Sequence, residues 1–125
     1  MRRLLAGFSI FFGAVCALIG VSHIVLGPQV IPGGVPVNAT MDNEDRFYAT
    51  LFVGFGLAMI WASRDLDARR TLYLALMAVF FAGGVSRVIS VLAVGWPHPL
   101  FVGLGAIELV LPIVCWRVLE VTKAA

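Results

Sequence analysis

Hydrophobic residues fall into four long runs along the chain, separated by short polar segments. The runs cover about residues 4–26, 43–63, 71–94 and 99–119. An α-helix rises 1.5 Å per residue, so about 20 residues cross a hydrocarbon core of roughly 30 Å. The pattern predicts an all-α fold: an antiparallel four-helix transmembrane bundle, formed by a single integral membrane domain over residues 1–125.

The second run differs from the others because its uninterrupted apolar part covers only residues 47–62. That part would rise about 24 Å, which is short of the hydrocarbon core. We therefore expect the helix to begin earlier, with Thr40 or Asp42 as its N-cap. Asp42, Glu44 and Asp45 would then lie in the first turn, where carboxylates complement the positive end of the helix dipole.

The segment between the first two runs contains three prolines and three glycines between positions 27 and 36. Such a segment is expected to form neither a helix nor a central strand. It also carries aliphatic residues at positions 30, 31, 35 and 37. We interpret it either as a lid over the outer end of the bundle or as a plain tether.

The composition excludes a water-soluble globule, because 61% of the residues are hydrophobic and 13% are charged, against about 25% charged in soluble domains.

Basic residues that flank membrane spans are retained on the cytoplasmic side. Four spans place Arg46 on one side and seven basic residues on the other. Those seven are Arg2, Arg3, Arg64, Arg69, Arg70, Arg117 and Lys123. Both termini are therefore expected in the cytoplasm. The first run is longer than the apolar core of a signal peptide, so we expect it to remain in the protein as a membrane span and not to be cleaved.

Two charged residues lie deep inside the third and fourth runs, far from the run ends and at matching depths. Arg87 lies seven residues before Val94, and Glu108 lies nine residues after Pro99. They are therefore about 10 and 13 Å below the outer boundary. A charge at the centre of a bilayer costs on the order of 2.5–3.5 kcal/mol on insertion scales. Because a short turn makes these spans neighbours, we predict an ion pair between the guanidinium and the carboxylate.

Further polar residues lie at the outer ends of the first two spans, and together with the pair they predict a polar layer. The candidate site residues are His23, Glu44, Asp45, Arg46, Arg87 and Glu108. Pro112 cannot donate to the carbonyl of Glu108, which predicts a helix bend one turn from the pair. Two interpretations stay open: an intramembrane pocket, and a buried structural network that fixes helix register.

No metal or cofactor is expected from the sequence. His23 and His98 do not have zinc-ligand spacing with Cys, Asp or Glu, and His98 in a loop is unsuited to bis-histidine haem. Cys16 and Cys115 lie within predicted spans and are interpreted as small apolar fillers. The sequence has no phosphate loop, nucleophile elbow or nucleic-acid motif. We therefore expect no nucleic-acid partner, and the pattern leans against an enzyme without deciding the question.

Small residues recur at helix-packing spacing in the first three spans. They are Ser9 and Gly13, then Gly54, Ala58 and Ala62, then Ala82, Ser86 and Ser90. Small residues let helix backbones approach closely in lipid. We interpret them as ordinary packing positions within the bundle.

Short motifs lie near the ends of the four spans. They are His23 with Gly27-Pro28, Asp42-x-Glu44-x-Arg46-Phe47-Tyr48 followed by Gly54 and Gly56, Gly83-Gly84-x-x-Arg87-x-x-Ser90, Gly95-x-Pro97, and Glu108-Leu109. In these motifs, and over nearly its whole length, the chain resembles the bacterial family known as domain of unknown function 4345. The resemblance implies a four-helix membrane protein, similar in broad layout to the DoxX-like proteins, in the bacterial inner (plasma) membrane. It implies no activity. It does imply that the polar motif positions of the family correspond in this chain to His23, Glu44, Arg46, Arg87 and Glu108.

Three functions are compatible with these features. The first is an accessory or stabilising subunit of a larger cell-envelope assembly, such as one that transports lipid, or of a homo-oligomer. The second is a lipid-binding or lipid-modifying protein, in which Arg87 and Arg46 hold a head group while Glu108 or His23 transfers protons. The third is a proton or ion pathway, which the largely apolar inner half of the bundle favours least. Membrane lipid is an expected partner in the second.

Overall fold

The computed structural model describes residues 1–123, which form four long α-helices. They are α1 (Arg2–Leu26), α2 (Ala39–Ser63), α3 (Arg70–Val94) and α4 (Pro99–Val121). Each is long and apolar enough to cross a membrane, and residues 1–123 contain no strand. The all-α prediction with four apolar helices is therefore confirmed. The last two residues of the predicted 1–125 domain lie outside the described residues.

Helix α2 begins earlier than the sequence predicted. Its N-cap is Asn38, whose side chain accepts a hydrogen bond from the Met41 amide at 2.9 Å. Neither Thr40 nor Asp42 caps the helix, because the preceding Asn38 is itself a preferred cap residue and starts the helix first. As a result only Asp42 lies in the first turn, and the prediction that Glu44 and Asp45 also lie there is wrong.

The first inter-helix segment is not wholly irregular, because Pro28–Val30 forms one turn of 3₁₀-helix. The expectation that no helical turn forms here is wrong, since proline is tolerated at the first position of a helix, where its missing N–H is not needed. Farther along, Gly33 lies against the ring and Cβ of His98, which is the N-cap of α4. The segment thus reaches the α3–α4 connection, although Val35 stays 78% exposed.

Glycines bring α1 and α2 into close contact. A Cβ on Gly13 would lie 2.6 Å from the carbonyl oxygen of Gly56, and a Cβ on Gly20 would lie 2.8 Å from that of Ala49. Backbones this close leave no room for a side chain. The prediction that Gly13 packs is confirmed, but in α2 the close approach is at Gly56, whereas Gly54 faces open space.

The best-packed part of the molecule surrounds Tyr73, which is fully buried together with Met59, Ala62 and Leu119. The Tyr73 hydroxyl and the Ser9 hydroxyl are hydrogen-bonded at 2.9 Å, which joins α1 to α3. A buried tyrosine hydroxyl needs such a partner.

Charged residues join the helix ends nearest this core. Arg2 at the start of α1 pairs with Asp67 and donates to the carbonyls of Leu119 and Thr122. Arg70 at the start of α3 pairs with Glu120 near the end of α4. The start of α1, the α2–α3 connection and the end of α4 therefore lie together.

Much of the remaining helix surface is apolar and exposed, as in Leu92 at 82% and Val94 at 85%. Such a surface is what a hydrocarbon environment requires. The expectation that Ala82, Ser86 and Ser90 pack inside the bundle is wrong, because all three are exposed.

Candidate functional site

Arg87 of α3 and Glu108 of α4 form a two-point ion pair. Arg87 Nε donates to Glu108 Oε2 at 2.6 Å, and Arg87 Nη2 donates to Glu108 Oε1 at 2.9 Å. The planar fork of a guanidinium matches a carboxylate in this way, and the two bonds fix their relative orientation. The ion pair predicted from the equal depths of the two residues is present.

Three glycines give the pair its space. A Cβ on Gly105 of α4 would lie 3.3 Å from Arg87 Cδ, so the absence of a side chain there accommodates the arginine stem. A Cβ on Gly84 of α3 would lie 2.9 Å from Leu109, which shows how closely α3 and α4 approach. Gly83 lies beside the Glu108 carboxylate, and a Cβ on this glycine would lie 3.9 Å from Oε2.

The two partners of the pair differ in burial. The Glu108 side chain is 11% exposed and that of Arg87 is 40% exposed. Within residues 1–123 nothing accepts a hydrogen bond from Arg87 Nη1, while Nε and Nη2 are both used by Glu108. The guanidinium carbon also lies 5.6 Å from the centre of the Phe101 ring. Arg87 therefore keeps its Nη1 group and the second N–H of Nη2 without a protein acceptor.

Arg87 also lines a groove between α3 and α4, which we call the α3–α4 groove. Its volume is about 480 Å³, within the usual range of ligand sites, about 300–1,000 Å³. Apart from Arg87 and Ser90 its lining side chains are apolar or aromatic. They include Trp96, Phe101, Ala106 and Leu109. An apolar groove with one convergent cation is typical of a site for an amphipathic molecule.

His23 and Asp45 form a second, separate polar contact, between α1 and α2. The Nδ1 atom of His23 lies 2.9 and 3.1 Å from the two carboxylate oxygens of Asp45. Their side chains are 19% and 21% exposed. No hydrogen bond or ion pair joins them to Arg87 or Glu108 in the described part of the chain.

Arg46 stabilises the end of α1. Its Nε donates to Asp42 Oδ1 at 2.7 Å, and its Nη1 donates to the carbonyl of Ile24 at 2.6 Å. The carbonyls of a last helical turn have no intrahelical partner, so a cation there satisfies them. Gly27, with φ +76°, follows directly, and a side chain on it would meet Arg46 and Asp42.

The two remaining predicted residues contact neither pair. Glu44 is exposed, and within residues 1–123 it forms no ion pair. Pro112 is buried on the same side of α4 as Glu108, and α4 runs through it without interruption. A bend at Pro112 stays a prediction.

The structure therefore brings Arg87 and Glu108 together, and His23 and Asp45 together, but it does not join all six residues in one network. Sequence reasoning missed Phe101 and Trp96 as parts of the groove. It also missed the bond between Arg46 and Asp42, although their spacing of four residues on a helix was a usable signal.

No metal site is indicated by these side chains. No group of three or more His, Cys, Asp or Glu side chains in the described residues is arranged to hold a metal ion.

Comparison with known proteins gives one match. A family model described as "Domain of unknown function (DUF4345)" matches residues 4–119. No curated protein and no solved structure matches the chain.

Proposed function

The chain belongs to the DUF4345 family, and on the geometry of its Arg87–Glu108 pair we propose that it binds a membrane lipid in the α3–α4 groove. One observation carries this proposal. Arg87 lines an apolar groove and is held by Glu108 through two of its nitrogens, and its third nitrogen has no protein acceptor among residues 1–123.

A free donor in this position favours a ligand with an acceptor oxygen. Hydrocarbon supplies no hydrogen-bond acceptor, so a donor there is costly unless a partner is found. A lipid whose polar group accepts from Arg87, and whose chain lies along Phe101 and Leu109, would satisfy the donor and fill the apolar groove together.

The proposal assigns different roles to the two arginines that were expected to share a ligand. Arg46 already donates to Asp42 and to the end of α1, so we assign it to stabilising the helix end. Arg87 alone is assigned to the ligand. Proton transfer by Glu108 or His23 is not needed for binding.

We also propose that the chain lies in the bacterial inner membrane as an antiparallel bundle with both termini in the cytoplasm. Seven basic residues lie near the end of the bundle that contains the N-terminus, which is the distribution typical of the cytoplasmic side. The contacts of Arg2 with Asp67 and of Arg70 with Glu120 support this arrangement.

Native mass spectrometry of the full chain, extracted in a mild detergent, tests lipid binding. We expect a co-purified lipid in the wild type and in Ile89→Ala, a control on the exposed surface of α3 outside the groove. We expect its loss in Arg87→Ala and in Ala106→Phe, which fills the groove while leaving the ion pair intact. Equal lipid retention in all four proteins would contradict the proposal.

A second candidate function is that of an accessory subunit in a larger envelope assembly, or of one copy in a homo-oligomer. It is favoured by the exposed stripe of Ala82 and Ser86, because small residues at this spacing permit close helix contact in lipid. We expect the wild type to migrate with a larger partner from native membranes, and Ser86→Leu to migrate alone. A wild-type chain that migrates as an isolated particle would contradict this role.

The third function, a proton or ion pathway, stays a prediction. Proton flux in proteoliposomes that is equal for the wild type and Glu108→Gln would remove it.

A further inference from the structure

We propose that the α3–α4 groove selects an uncharged acyl lipid, bound through an ester carbonyl, and discriminates against anionic lipids such as those with a phosphate head group. This inference rests on the proposed function and specifies its ligand class. It follows from the charge, the donors and the depth of the groove.

The charge of the groove comes from one pair and sums to zero. The Glu108 carboxylate binds two of the three nitrogens of Arg87, and no other charged side chain lines the groove. The carboxylate occupies one of the two edges of the guanidinium that carry parallel donors, and its negative charge cancels the positive charge of the guanidinium. A phosphate at the remaining nitrogen would lie near a carboxylate with no second cation to compensate, and that repulsion disfavours an anion.

The groove suits a carbonyl better than a phosphate, because its one cation is already paired with a carboxylate. The donors without a protein acceptor are the two N–H groups of Arg87 Nη1, the second N–H of its Nη2, and the hydroxyl of Ser90, which also lines the groove. Sites that hold phosphate usually combine several donors with more than one positive charge. A carbonyl oxygen needs only one or two donors and brings no charge to be neutralised.

The depth of Arg87 points to the same class of ligand. Arg87 lies seven residues before the end of α3 at Val94, which corresponds to about 10 Å along the helix axis. Trp96, just beyond the end of α3, lines the groove and is 78% exposed. A tryptophan at this position is typical of the level of the head groups. The guanidinium is therefore expected below that level, where an ester carbonyl without a large head group can reach it.

Fluorescence quenching of Trp96 by brominated lipids tests this selectivity. Trp61→Phe and Trp116→Phe leave Trp96 as the remaining tryptophan of the three in the chain. The protein, in phosphatidylcholine vesicles, is titrated with brominated diacylglycerol or with phosphatidic acid that carries the same brominated chains. We expect half-maximal quenching at an about tenfold lower mole fraction of diacylglycerol, the effect of about one hydrogen bond to a charged group.

Three variants in this background identify the cause of the selectivity. Glu108→Gln keeps the shape of the side chain but leaves Arg87 with a net positive charge, so we expect the preference to move toward phosphatidic acid. Ala106→Phe blocks the groove, and both lipids are then expected to quench only by random collision. Ile107→Phe, on the exposed side of α4 next to it, is the matched control and is expected to behave as the parent protein.

The possible results separate this inference from the proposed function. Stronger binding of phosphatidic acid than of diacylglycerol by the parent protein overturns the inference but leaves lipid binding in place. Quenching by both lipids that is the same with and without Ala106→Phe overturns lipid binding itself. If Glu108→Gln does not fold, as judged by circular dichroism, the ratio measured for the parent protein still decides the inference.

Discussion

The two single truncations of the Arg87–Glu108 pair should together lower the free energy of unfolding by more than the double truncation does. Arg87→Ala leaves the carboxylate of Glu108, whose side chain is 11% exposed, without its counter-charge. Removing one partner of a buried ion pair costs about 3–5 kcal/mol. Because Glu108 is the more buried partner, we expect Arg87→Ala to lower the free energy of unfolding by about 4 kcal/mol.

Glu108→Ala should lower the free energy of unfolding somewhat less than Arg87→Ala. Glu108→Ala leaves a guanidinium that cannot lose its proton, but this side chain is 40% exposed along the groove and can turn toward the head groups. We expect a loss of about 3 kcal/mol. The double variant leaves no unpaired charge, so we expect a loss of about 5 kcal/mol, which corresponds to a coupling energy of about 2 kcal/mol.

The measurement is reversible unfolding of the four proteins in mixed micelles, followed by circular dichroism as the denaturing detergent is increased. Ile89→Ala, on the exposed surface of α3, serves as the control for truncation outside the pair. Neutral hydrogen bonds between membrane helices average about 0.6 kcal/mol. A coupling energy at or below that value would refute the view that this is a strong, charged contact.

Three further changes test the packing that holds the site in place. Gly13→Ala adds a Cβ that would lie 2.6 Å from the Gly56 carbonyl oxygen, so it should lower the free energy of unfolding by about 1–3 kcal/mol. Gly54→Ala is the control, because its Cβ would face open space and should leave that free energy unchanged. Equal stabilities of the two variants would contradict the close approach. Tyr73→Phe removes the buried hydrogen bond to the Ser9 hydroxyl and should lower the free energy of unfolding by about 1–3 kcal/mol in the same assay. An unchanged free energy of unfolding would mean that this bond contributes nothing to stability. Arg46→Gln removes the hydrogen bond to the carbonyl of Ile24 in the last turn of α1. Hydrogen exchange of the backbone amides that follow this turn should then accelerate about tenfold, as expected for a loss of about 1.4 kcal/mol in local stability. Unchanged exchange would rule out the role assigned to this arginine.

The limits of the sequence are clearest at the first two helices. The shared depth of the acidic and basic residues near the start of α2 predicts that they belong to one polar layer. The structure instead directs Arg46 to the end of α1 and Asp45 to His23. Equal depth does not determine which way a side chain points around the helix axis, and neighbouring residues on a helix differ by about 100° in direction.

The amino-acid sequence by itself determined the four apolar helices and the pairing of Arg87 with Glu108. Both follow from local rules: a run of about 20 apolar residues can span hydrocarbon, and two opposite charges at one depth in adjacent spans are much more stable together than apart. Only the tertiary structure decided that Gly105 makes room for the arginine stem, that one guanidinium nitrogen stays free, and that an apolar groove lies beside it. These features depend on how α3 and α4 are rotated and how closely they approach, and packing across the whole bundle sets both.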